Sequence, residues 1–211
     1  IESEVASRLV TPVLNALGGY SLQQKNSFML DSLGKKMFPE WLNIWDRPVS
    51  VGETGSRLFD SEGVATAEMP IVENGVVKEY FVNTYMSRKM GVEATVEDAT
   101  RPVVLPCFAP SVAEPVEATC GKEELMRIVG EGILVTGFNG GNSNSATGDF
   151  SFGVEGFLFK DGKIVHPVRE MLITGNLLTL WNNLLAAGND ARFCKSKLIP
   201  TLAFGNVDFS A

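Results

Sequence analysis

The densest chemistry in this sequence lies between Gly137 and Asn176, which read GFNGGNSNSATGDFSFGVEGFLFKDGKIVHPVREMLITGN. Asn139, Asn142, Asn144 and Thr147 put hydrogen-bonding side chains on a segment freed by Gly140 and Gly141. Such a segment suits the backbone of an extended peptide added to a sheet edge, where main-chain hydrogen bonds supply affinity. The same side chains also suit a long loop held by its own Asx and Ser/Thr turns. Residue types alone leave both readings open, and a nest of backbone N–H groups is a third. A P-loop is excluded, because there is no G-K-[ST] and the next element reads as strand. Asp149 follows as a carboxylate at the end of the segment. Arg169 stands in Pro167-Val168-Arg169-Glu170, where its planar fork matches a peptide carboxylate. An internal ion pair is its plainer role. The candidate substrate-binding residues are therefore Asn139, Gly140, Gly141, Asn142, Asn144, Thr147, Asp149 and Arg169; no catalytic residue is assigned.

Other chemistry is sparse. A catalytic zinc needs about three protein ligands, usually His with Glu, Asp or Cys. The chain has one histidine, His166, so H-E-x-x-H and any two-histidine site are excluded. His166 reads as a strand histidine bonded to a neighbour. There is no G-x-S-x-G elbow for a serine nucleophile. Cys194 reads as a small buried thiol. Asp60 and Glu62 in Phe59-Asp60-Ser61-Glu62-Gly63 read as loop scaffolding, with Asp60 accepting backbone N–H bonds and Gly63 supplying an unusual backbone angle. Asp149 and Glu155 are six residues apart on a predicted strand, which puts both on one face.

The elements that must position these residues follow from periodicity. Glu2 to Leu17 reads as a helix with Val5, Leu9, Val13, Leu14 and Leu17 on one face; Pro12 should kink it or shift its start. Tyr20 to Glu68 is loop-rich, with a short strand at Trp41 to Trp45. Glu68 to Asn83 reads as a hairpin turned by Asn74-Gly75. Helices are expected at Thr84 to Met90 and Lys122 to Val129, ended by Gly91 and Gly130. Prolines make Arg101 to Thr119 extended. Ile133 to Phe138 is a strand, Asn139 to Gly148 a polar loop, and Asp149 to Phe159 with Lys163 to Ile173 a hairpin turned by Asp161-Gly162. Asn176 to Ala187 reads as the strongest helix, and Lys197 to Phe209 as one last strand. The expected class is α+β with mostly antiparallel sheets.

Composition bounds the function. With 211 residues, 45% hydrophobic and 20% charged, the chain has a normal globular balance. Its net charge of -7 and scattered Lys and Arg argue against direct nucleic-acid binding. No run of about 18 apolar residues is present, so no membrane span is expected. Three cysteines without regular spacing point to the reducing cytoplasm.

The combination N-G-G-N-x-N-x-x-T-G-D-F-S, P-V-R-E and I-T-G-N resembles the C-terminal domain of the TldD/PmbA family, also called modulators of DNA gyrase, in its PmbA/TldE branch. Ser27 to Gly34, Phe59 to Val64 and Tyr85 to Gly91 extend the resemblance, which is poor from Glu93 to Thr119. It implies a C-terminal domain of a longer protein, over residues 1 to 211. It also implies a cytoplasmic two-subunit metalloprotease in which a zinc-bearing TldD-like partner holds the metal. This chain would then carry no cofactor, shape the groove for an unfolded peptide, and form a heterodimer or a homodimer. In the active branch the zinc ligands come from an H-E-x-x-x-H helix and a downstream cysteine; the comparable helix here, Glu2 to Leu17, has no histidine. The alternatives are a stand-alone peptidase whose metal site lies outside this chain and a non-enzymatic modulator of gyrase.

Overall fold

The computed structural model describes residues 1–112 and 120–210. The chain opens with two helices, α1 (Ser7–Ala16) and α2 (Gly19–Gln23). Next come β1 (Ile44–Asp46), β2 (Met69–Glu73), β3 (Val76–Val77), α3 (Thr84–Met90), β4 (Pro102–Val104) and β5 (Cys107–Phe108). After α4 (Lys122–Val129) three long strands follow: β6 (Glu131–Ser143), β7 (Asp149–Lys160) and β8 (Lys163–Asn176). The chain then forms α5 (Leu177–Asn182), β9 (Leu184–Ala187), β10 (Leu202–Phe204) and β11 (Phe209–Ser210).

These strands make three antiparallel sheets, ordered β3-β2-β1-β4, β10-β9-β5 and β11-β8-β7-β6. The fold is α+β, as the alternation of patterns predicts. One core joins all three sheets to α1 and α5. Trp181 is at its centre, fully buried and met edge-on by Phe38 and Phe204 at 6.4 and 5.5 Å.

Local chemistry explains most elements. Asn74 and Gly75 both have positive φ, 50° and 75°, and turn β2 into β3. Asp161 and Gly162 do the same between β7 and β8. Asn83 caps α3 by accepting the Met86 N–H, and left-handed Gly91 ends it. In β7 the alternation is clean: Phe150, Phe152 and Val154 are buried, Asp149, Ser151 and Glu155 exposed.

α1 is shorter than its predicted span. Residues before Ser7 form turns that already carry helical bonds, such as Ala6 N–H to Glu2 O. Pro12 sits inside the helix. An interior proline costs about 3 kcal/mol. Complete burial of Leu9, Val10 and Val13 offsets it, at about 1.5–3 kcal/mol each.

Three other expectations are corrected. The predicted helix 176–187 ends at Asn182, and Leu184–Ala187 is strand β9. Apolar residues spaced as in a helix are equally at home on β9, whose two edges pair with β10 and β5. The predicted last strand divides into β10 and β11, which join different sheets across Gly205 and left-handed Asn206. The polar loop is shorter than predicted, because β6 runs on through Ser143. The extended segment Arg101 to Thr119 contains β4 and β5, and its end, 113–119, lies outside the described residues.

Candidate functional site

Among the described residues β6 is a terminal strand of its sheet, paired on one side only, with β7. Two irregularities break its register, between Val135 and Gly137 and between Phe138 and Gly141. In the second, Asn139 and Gly140 bulge opposite Gly153. The bulge depends on missing side chains. At Gly141, with φ +83°, a Cβ would sit 2.0 Å from the Ser151 carbonyl oxygen. At Gly153 a Cβ would sit 2.7 Å from the Asn139 carbonyl oxygen. Past the bulge the ladder resumes, Gly141 with Phe152, Asn142 with Ser151 and Ser143 with Phe150.

α1 lies across a groove from β6. Helical spacing buries Leu9, Val13 and Leu14 and turns Ser7, Arg8, Thr11, Pro12 and Asn15 the other way. That polar stripe, with Phe138, Gly141, Asn142 and Ser143 from β6, lines a groove of about 710 Å³. Val5, Phe28, Ser145 and Phe152 complete its walls. Two contacts hold the walls in place. Glu2 N–H donates to Val135 O at 3.0 Å. Arg8 Nη2 donates to Gly141 O at 2.7 Å, and its guanidinium lies 4.9 Å from the Phe152 ring centre. Phe152 in turn stacks on Phe150 and is met edge-on by Phe138.

Pro12 shapes this face as well. It has no N–H, so the Arg8 carbonyl loses its helical donor. Thr11 folds its hydroxyl back onto Ser7 O at 2.8 Å.

Of the eight predicted site residues, Gly141 and Asn142 line the groove. Asn144, Thr147 and Asp149 belong instead to the turn from β6 to β7. Asn144 takes the Ala146 N–H on its side chain at 2.9 Å, and its N–H reaches Asp149 O at 2.7 Å. Thr147 Oγ1 donates to Asp149 Oδ2 at 2.7 Å. Asn176 Nδ2 donates both to Thr147 O and to Asp149 Oδ1, at 2.8 and 3.0 Å, while its own Oδ1 caps α5 at the Leu178 N–H. These bonds hold the Asp149 carboxyl below its usual range, the Thr147 hydroxyl contributing most and the Asn176 amide next. The turn docks on the rest of the molecule through Phe28 N–H to Ser145 O.

Asn139 and Gly140 stand exposed in the bulge, where Asn139 Nδ2 donates to Glu155 Oε2 at 3.2 Å. Asp149 and Glu155 share a strand face but serve different partners, so they form no carboxylate pair. Arg169 is on β8, in an irregularity of the β7–β8 register opposite Glu155, beside left-handed Glu170. It is exposed, and among the described residues it makes no ion pair.

His166 is exposed with Nδ1 3.0 Å from the adjacent Pro167 O. Asp60 accepts the N–H groups of Glu62, Val64 and Glu97, and Gly63 has φ +80°, the scaffolding arrangement read from the sequence. Cys194 corrects its reading: it is exposed, whereas Cys107 and Cys120 are buried. Its segment is anchored by Arg192 and Lys195, both paired with Glu4, and the thiol is left facing solvent. Sequence reasoning missed the groove face of α1. Its signal is the polar stripe Ser7, Arg8, Thr11, Asn15, which carries no metal-ligating side chain.

Comparison with known proteins agrees with this architecture. The pattern defining the PmbA/TldA metallopeptidase C-terminal domain matches residues 1–211. A metalloprotease PmbA homologue from Haemophilus influenzae is 37% identical over 188 residues, 89% of this chain and 40% of the relative. Metalloprotease PmbA of Escherichia coli O157:H7 is 33% identical over 207 residues, 95% of this chain and 44% of the relative. A crystal structure from Bacteroides thetaiotaomicron, of a protein named as a candidate modulator of DNA gyrase, superposes with a TM-score of 0.91 at 46% identity. It covers 99% of this chain and 45% of that one. The chain therefore spans less than half the length of each of these relatives.

Proposed function

The chain belongs to the PmbA/TldD metallopeptidase family, and on that premise we propose that it is the peptide-holding part of a two-subunit peptidase. The groove between α1 and β6 receives an unfolded peptide in extended form. A related, zinc-bearing subunit of the TldD type supplies the metal. The observation that carries this reading is that the terminal strand β6 faces the polar side of α1 across an open groove. An exposed strand edge offers backbone N–H and C=O groups to any extended chain, with little regard for its sequence. Asn142 adds a side-chain amide at that edge.

The family name implies a metal. The donors at the groove do not fit one: α1 offers two hydroxyls, an amide and a guanidinium, and among the described residues no carboxylate, imidazole or thiol lines the walls. Among the described residues, no three His, Cys, Asp or Glu side chains come together in a way that could hold a metal. The role left to this chain is to bind and orient. β6 holds the peptide backbone straight, and the aromatic wall of Phe28, Phe138 and Phe152 shields it from water on one side.

The test is a peptidase assay on an unfolded peptide with added zinc, using the full-length protein alone and mixed with its zinc-bearing homologue. Activity only in the mixture is expected. Activity of this protein alone, abolished by a chelator, would overturn the reading in favour of a metal site elsewhere in the longer protein.

A further inference from the structure

Among the described residues the groove carries one charge: its lining contains no Asp or Glu, and Arg8 is its one cation, on a chain whose net charge is -7. Arg8 is exposed, and among the described residues no carboxylate pairs with it. It is nevertheless held in place: Nη2 bonds Gly141 O at 2.7 Å, and the guanidinium lies over the Phe152 ring, 4.9 Å from its centre. A guanidinium has five N–H donors in a rigid fork. The Gly141 contact is its one hydrogen bond among the described residues, which leaves the other donors of this groove-lining side chain open to a ligand. A cation fixed by packing loses less conformational freedom on binding than a mobile one.

We infer that Arg8 reads a carboxylate of the bound peptide, either its C-terminal carboxylate or an Asp or Glu side chain, and so sets which peptides the groove prefers. The inference rests on the proposed peptide groove and adds to it a specificity-determining residue. Backbone pairing along β6 is indifferent to sequence; a carboxylate two-pronged on Arg8 would fix where along the edge the peptide stops. The net negative charge of the chain repels acidic peptides at long range, so the preference is local to Arg8 and is screened by salt.

The experiment titrates the full chain against one short unfolded peptide, fluorescently labelled at its N-terminus, in three forms. The first has a free C-terminal carboxylate and no acidic side chain. The second is the C-terminal amide of the same sequence. The third is the amide with one internal Glu. Fluorescence anisotropy is read for wild type, Arg8→Gln and Arg8→Lys, with circular dichroism to check that each variant is folded. The expected result is that one or both carboxylate forms bind wild type about tenfold tighter than the plain amide. Arg8→Gln abolishes that preference and Arg8→Lys keeps part of it. The first form winning identifies the C-terminus as the ligand, the third an acidic side chain. Equal binding of all three forms to wild type overturns the inference while leaving the groove intact. So does a carboxylate preference that survives in Arg8→Gln, or an equal loss of all three forms in that variant, which would make Arg8 a clamp only. No binding of any form to folded wild type overturns the groove itself.

Discussion

Arg8 Nη2 lies 2.7 Å from the carbonyl oxygen of Gly141, a bond between residues 133 apart that ties α1 to the bulged edge of β6. Gly141 adopts φ +83° and lies close against β7. Two neighbouring glycines therefore make a controlled comparison. Gly140 also has a positive φ, +86°, but a Cβ there meets nothing within 4 Å. Gly140→Ala is expected to cost only backbone strain, about 1–2 kcal/mol. Gly141→Ala adds a collision with the Ser151 carbonyl, which only separation of β6 from β7 relieves, and should cost more than about 3 kcal/mol. Chemical denaturation of the two variants measures the difference; equal costs would mean that β6 does not hold this register.

Much of the fold was legible because its signals are local. Asn74-Gly75 and Asp161-Gly162 dictate their turns through backbone angles that few other residues tolerate. Asn83 and Gly91 bound α3 for the same reason. The misses share the opposite cause. Leu184 to Ala187 continue an apolar run after Trp181, and only the distant partners β5 and β10 turn it into a strand. Gly141 to Ser143 look like a loop by composition, and only pairing with Phe150 to Phe152 makes them strand.

The site was half legible for a related reason. The segment around Gly141 and Asn142 was marked by its unusual residue types. Its other wall, Ser7 to Asn15, looks like any amphipathic helix until the groove is seen. Thr147 and Asp149 carry binding chemistry, but Asn176, 27 residues beyond Asp149, engages both. No reading of spacing along one strand reveals that.

Asp60 is 5% exposed and accepts three backbone N–H groups, two on Oδ1 and one on Oδ2. Asp60→Ala leaves all three without their acceptor and should destabilise by about 2–4 kcal/mol. Asp60→Asn can keep the two bonds from Glu62 and Val64 while turning an amide N–H toward that of Glu97. It should cost less than the alanine variant but remain measurable. Thermal unfolding ranks the two; equal costs would mean that the Oδ1 bonds contribute little.

The three thiols should differ sharply in reactivity. Cys194 is exposed, while Cys107 and Cys120 are buried. Burial also pushes the Cys107 thiol up to about 11, leaving little thiolate at neutral pH. Brief treatment of the native protein with iodoacetamide should add one label, on Cys194, and unfolding should expose the other two. Mass spectrometry of the modified peptides reads the result. Native labelling of Cys107 or Cys120 ahead of Cys194 would contradict the burial described here.

Asp149 provides a pH-dependent contribution whose sign can be worked out. Hydrogen bonds from Thr147 and Asn176 hold its carboxyl below the usual range in the folded chain. A depressed folded value means that the unfolded chain binds a proton more readily. The stabilisation is then present above the unfolded carboxylate range and fades as pH falls through the folded value. Asp149→Asn removes the charge that Thr147 and Asn176 serve, while the Asn176 bond to Thr147 O still ties the β6–β7 turn to the start of α5. Wild type should therefore be more stable than Asp149→Asn at neutral pH, and the gap should close on acidification. Paired denaturation curves at neutral pH and below the carboxylate range test this. A gap that stays constant with pH would mean that the bonds act through geometry and not through the charge.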